Sequence, residues 1–107
     1  MREAQRVYTQ AFRTAVNTHL FPNALDALAG LAWAKAAGGE MEQAFDLAFQ
    51  ILNHPAATRA ARQHAEKLMD ELEAETSFKQ LGRSREQLQV KSLEEILEEI
   101  NFLSSYS

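Results

Sequence analysis

The sequence predicts an all-α fold of about five helices, and three observations carry that expectation. Apolar residues recur at the spacing of a single helix face through most of the chain. Glycine, proline and asparagine fall between these stretches, at intervals of about one helix length. Nowhere does the apolar–polar alternation of a half-buried strand compete.

The first stretch, residues 3–18, sets Ala4, Val7, Tyr8, Ala11, Phe12, Ala15 and Val16 on one stripe, with Arg2, Arg6, Arg13 and Asn17 largely opposite. That is the pattern of a helix with one buried face. Phe21-Pro22-Asn23 interrupts it. Proline disfavours helix at the residue before it, and Asn23 is the expected cap of the next helix. Residues 24–37 are apolar almost all round, only Asp26 and Lys35 carrying charge, so this helix is expected to be surrounded by neighbours. Gly30 in its interior costs about 1 kcal/mol relative to alanine, which points to close contact with another helix. Gly38-Gly39 ends it, since glycine takes the left-handed C-terminal conformation most easily.

A third helix is expected over 40–53, with Met41, Ala44, Phe45, Ala48, Ile51 and Leu52 as its stripe and Glu40 and Glu42 at the positive end of its dipole. Asn53-His54-Pro55 closes it. A fourth, near 58–76, packs through Ala61, Ala65, Leu68, Met69 and Leu72 and turns its charged residues outward. Short connections make sequential helices antiparallel neighbours. From 78 to 91 the pattern weakens around Gly82, with room for a short helix after Ser84. Ser92-Leu93-Glu94-Glu95 reads as a capping box, serine at the cap and glutamate three residues on. It opens a last helix with Leu93, Ile96, Leu97, Ile100 and Leu103 on one face and Glu94, Glu95, Glu98 and Glu99 on the other. Residues 104–107 are expected to fray.

Composition excludes several classes. A chain of 107 residues, 46% hydrophobic and 24% charged, suits one domain with a modest core. It contains no cysteine, hence no disulfide framework, thiolate nucleophile or cysteine-rich zinc site. The longest apolar run, residues 27–34, is far below the roughly 20 residues that span a bilayer. The first six residues lead into no signal-like hydrophobic stretch, so no membrane association and a cytoplasmic location are expected.

The motifs of catalysis are missing too. Four glycines make neither a phosphate-binding loop nor a dinucleotide fingerprint. His19, His54 and His64 lie outside any metal-ligand spacing and read as structural. The glutamates of the last helix form a solvated face, without the contrasting environments that separate the pKa values of a catalytic pair. No serine sits in a nucleophile turn. The chain is therefore expected to be no enzyme and to hold no cofactor and no metal. If Gly38-Gly39 were the turn of a helix-turn-helix, the recognition helix would begin Glu40-Met41-Glu42 and carry Asp46, charges that phosphates repel. Direct nucleic-acid binding is not expected.

The central pair of helices has an informative spacing. Leu28, Leu31 and Ala32, then Gly39 in the turn, then Ala44, Ala48 and Ile51, with Pro55 beyond, resemble a tetratricopeptide repeat. Lys35 stands at that family's usual aromatic position, Ile51 at a usually small one, and Pro55 about one residue early. A wider resemblance runs through residues 24–32, Gly39-Glu40, Glu42, Ala44 and 51–58. It is similar to the C-terminal repeat region of large bacterial signal-transduction ATPases and transcriptional regulators. The resemblance implies a right-handed module of antiparallel helix pairs, with residues 1–77 as the repeat core and 78–107 as linker and capping helix.

It also implies a non-enzymatic protein–protein interaction or regulatory scaffold, forming a terminal repeat segment of a signalling or transcriptional regulator. Its partners would be other proteins or the rest of a larger parent chain. The expected contact residues are Arg6, Trp33, Lys35 and Phe49, using apolar and aromatic anchors with a charged rim. The alternative is a homo-oligomerisation domain that dimerises through the first or the last helix. A small helical DNA-binding protein and an enzyme are weaker alternatives. Repeat units bury their faces on neighbours, so the first helix is expected to show an apolar face that another unit would cover.

Overall fold

The computed structural model describes residues 2–74 and 89–105. Among them the chain is all helical: α1 (Arg2–Asn17), α2 (Phe21–Ala37), α3 (Met41–Leu52), α4 (Arg59–Ala74) and α5 (Leu93–Ser105), with no strand. The expected end of the fourth helix at 76, the short helix after Ser84 and residues 106–107 lie outside the described residues; 104 and 105, expected to fray, belong to α5. Each of α1–α4 packs on its neighbours in sequence, α2 also reaches α4, and α5 returns to α1.

The two corners at either end of α2 are built alike. At the first, the Leu20 N–H donates to the Ala15 carbonyl at 2.8 Å and the His19 N–H to Val16 at 3.1 Å. At the second, Glu40 N–H donates to Lys35 at 2.8 Å and Gly39 N–H to Ala36 at 3.1 Å. Both are Schellman closures, in which a left-handed residue turns the chain back onto its last carbonyls. That residue is Gly39 at φ 87° in one and His19 at φ 59° in the other. The His19 ring lies edge-on to Phe21, centroids 5.8 Å apart. Leu20 and Glu40, the residues before α2 and α3, share nearly the same backbone, φ/ψ −94/71° and −89/65°. Helix α2 therefore starts at Phe21 with Pro22 inside its first turn, where a missing N–H does no harm. Asn23, expected as its cap, lies within the helix instead.

The α3–α4 corner depends on side chains. Asn53 ends α3. The His54 Nδ1 accepts the Ala56 N–H at 3.0 Å, and Arg62 donates to the His54 carbonyl at 3.0 Å. Thr58 caps α4 by accepting the Ala61 N–H at 3.0 Å, and its hydroxyl donates to Asp26 of α2 at 2.7 Å.

Every apolar residue expected on the α4 stripe is buried: Ala61, Ala65, Leu68, Met69 and Leu72. On α1 the buried set is narrower than the stripe. Phe12, Ala15 and Val16 are inside, while Val7 and Ala11 face outward because no described element packs on that side. Helix α2 is bracketed by α1, α3 and α4 rather than enclosed; a strip through Pro22, Asp26, Trp33 and Ala37 stays open. Gly30 meets the expectation of a close contact. A Cβ there would fall into the Tyr8 ring, 2.6 Å from Cδ1 and 2.7 Å from Cζ.

The capping box at α5 forms as expected, with the Glu95 N–H donating to Ser92 Oγ at 3.1 Å and the Ser92 N–H to Glu95 Oε1 at 3.4 Å. Leu93, Ile96 and Ile100 join the same core as α1–α4. Gln50 of α3, only 2% exposed, holds the approach to α5 as a strand would. Its Oε1 accepts the Lys91 N–H at 2.7 Å, and its Nε2 donates to the Gln89 carbonyl at 2.8 Å and to Asp46 at 3.2 Å. Lys91 bridges Asp46 at 3.2 Å and Glu99 at 2.9 Å. Burial alone would lower the Lys91 pKa, but its bonds to Glu99 and Asp46 outweigh that and hold it above the ordinary value.

Candidate functional site

Beside the open strip of α2, and sharing Asp26 and Trp33 with it, lies a groove of about 500 Å³. Ala29, Gly30 and Trp33 form its floor, Tyr8 of α1 is one wall, and His64, Leu68, Lys67 and Glu71 of α4 are the other. Asp26 lies at its edge. Local sequence explains each part. Small residues at 29 and 30 keep the floor low, and the missing Cβ at Gly30 lets the Tyr8 ring lie directly on the α2 backbone. On α4, positions 64, 67 and 71 run beside the buried stripe at 61, 65, 68 and 72, so this edge faces the groove.

Trp33 is 55% exposed, unusual for so large an apolar side chain. Neither its indole N–H nor the Tyr8 hydroxyl has a hydrogen-bond partner among the described residues, and the two rings are not stacked on each other. Lys67 and Glu71, one helical turn apart, likewise have no partner among the described residues. Asp26 uses one carboxylate oxygen to accept from Thr58. The groove thus combines apolar floor, two aromatic faces, and charged groups of both signs. Such a surface can bind a side chain or peptide segment; among the described residues no cluster of His, Asp and Glu could hold a metal ion.

The four residues expected to contact a partner do not converge. Trp33 lines the groove. Arg6 is exposed on α1, away from the groove lining. The Lys35 ammonium donates to Gln43 at 2.7 Å and pairs with Glu40 at 3.7 Å, its side chain 13% exposed, so it ties α2 to α3. Phe49 is half-buried and packs against the core. Tyr8, Asp26, His64, Lys67 and Glu71 are polar groove residues that sequence reasoning missed. The helical spacing of 64, 67 and 71 beside the α4 stripe was the available signal.

No helix among the described residues is long and apolar enough to cross a membrane. Comparison of the chain with protein-family models, with curated proteins and with solved structures finds no match.

Proposed function

We propose that the chain is a non-enzymatic protein-interaction module of tetratricopeptide-like design, a terminal repeat segment of a signalling or transcriptional regulator. The observation that carries the binding role is the α2 groove, with Trp33 half exposed beside Tyr8 and, on the facing helix, Lys67 and Glu71 without partners among the described residues. Tryptophan is among the side chains enriched where protein partners are anchored. Support for the repeat design comes from three features. The corners at 18–20 and 38–40 have the same closure. Helix α2 touches both α3 and α4, as the first helix of a pair touches its mate and the first helix of the next. Leu28, Leu31, Ala32, Ala44 and Ala48, which carry the resemblance, are all buried.

The test compares the immobilised full chain with its Trp33→Ala variant in extracts of the source cells. Proteins retained by the wild type and lost from the variant, with unchanged helical content and mass, support the module. Identical retention by both overturns the groove as the binding site. The oligomerisation reading keeps one specific observation, the outward-facing Val7 and Ala11 on α1. Sedimentation of the purified chain decides it, a monomer at high concentration removing that reading.

A further inference from the structure

The groove holds more chemistry than an apolar anchor needs. Its lining sets two carboxylates, Asp26 and Glu71, against one ammonium, Lys67, and one imidazole, His64, beside the faces of Trp33 and Tyr8. Only one Asp26 oxygen is engaged, by Thr58, and Glu71 has no partner among the described residues. The chain as a whole carries 15 acidic against 11 basic residues, so its long-range field also favours a cationic approach.

We infer that the groove takes an arginine side chain, presented by a segment of the partner protein. A guanidinium is planar and weakly hydrated, so it stacks on an aromatic face while its edge donates to a carboxylate. A lysine ammonium is more strongly hydrated and gains less from the rings. The low floor at Ala29 and Gly30 leaves room for the arginine stem against apolar surface. A volume of about 500 Å³ is that of a small-ligand site, matched to one inserted side chain and its flanking backbone. Lys67 opposes the cation from the same wall and gives the inference a sign that can be measured. The inference rests on the chain being a protein-binding module and adds the chemistry of what is bound.

Trp33 is the chain's only tryptophan, so the fluorescence of the full chain reports on the groove directly. The probe is a blocked peptide, Gly-Leu-Arg-Leu-Gly, with citrulline replacing arginine in the control; citrulline keeps the shape and removes the charge. The arginine peptide is expected to shift Trp33 emission saturably, and the citrulline peptide to bind about 5- to 10-fold more weakly. Glu71→Gln weakens the arginine peptide and leaves the citrulline peptide unchanged, whereas Lys67→Gln tightens the arginine peptide. Both positions are exposed, so neither change should disturb folding. Equal binding of the two peptides, or weakening by Lys67→Gln, overturns the arginine site and leaves the interaction module standing. No saturable change with either peptide also overturns it, while a partner lost on Trp33→Ala would still uphold the module.

Discussion

His54 holds the α3–α4 corner with its ring as well as its backbone. Nδ1 accepts the Ala56 N–H at 3.0 Å, so that nitrogen must be without a proton while the corner is intact. Burial pulls the His54 pKa below its ordinary 6.5, with Glu94 of α5 partly opposing it. As pH falls, the unfolded chain therefore takes up this proton before the folded one does. The stabilisation is complete above pH 6.5 and is lost as pH falls through the lower, folded value. His54→Asn offers an amide oxygen to the same N–H and does not titrate. Urea midpoints of wild type and His54→Asn are expected to draw apart on acidification from about pH 7 to pH 5, the wild type losing more. One hydrogen bond, about 1 kcal/mol, bounds the difference. Parallel midpoints across that range would show that the ring bond contributes nothing.

At the scale of the element, Gly30 decides how closely α1 approaches α2. In an exposed helix, alanine at such a position gains about 1 kcal/mol over glycine. Here a Cβ would enter the Tyr8 ring, and the ring must leave its seat. Gly30→Ala is expected to destabilise the wild-type chain by about 1–3 kcal/mol. In a Tyr8→Ala background the same substitution should stabilise, by up to about 1 kcal/mol. Chemical denaturation of the four chains of this cycle measures the reversal; the same sign in both backgrounds would mean that Tyr8 is not the obstacle. The need for a close contact at Gly30 was legible, because a mid-helix glycine wants a reason; its partner was not. The α4 stripe was legible for a similar cause, since periodicity marks the apolar face. It does not say whether a neighbour covers that face, and so Val7 and Ala11 read as core although they face outward. The start of α2 was misplaced at Asn23 because a histidine, not a glycine, takes the left-handed position that closes α1. Trp33 stood out as the one tryptophan of an alanine-rich helix. Tyr8, Lys67 and Glu71 did not, because their groove exists only once three helices have met.

Across the whole molecule the stabilising contacts are unevenly shared. Among the described residues the largest fully buried side chains, Phe12, Leu25, Leu28, Leu31, Phe45, Ile51 and Met69, all lie on α1–α4. Helix α5 adds Leu93, Ile96 and Ile100, and is held at its start by Gln50 and Lys91. Gln50 lies outside the apolar stripe of α3; its hydrogen-bond partners are in a segment about 40 positions later, which no local pattern displays. An element tied on by few contacts opens below the free energy of global unfolding. Gln50→Ala removes two part-buried hydrogen bonds, one from the Lys91 N–H and one to the Gln89 carbonyl, a loss of about 1–2 kcal/mol. That loss should fall on the attachment of α5 and leave the α1–α4 core intact. In hydrogen exchange, the amides of α5 are expected to lose protection in Gln50→Ala by about 5- to 30-fold, with those of α2 and α3 little changed. A uniform loss across all five helices would instead make α5 part of one cooperative unit with the core, because opening it would then require the rest to open as well.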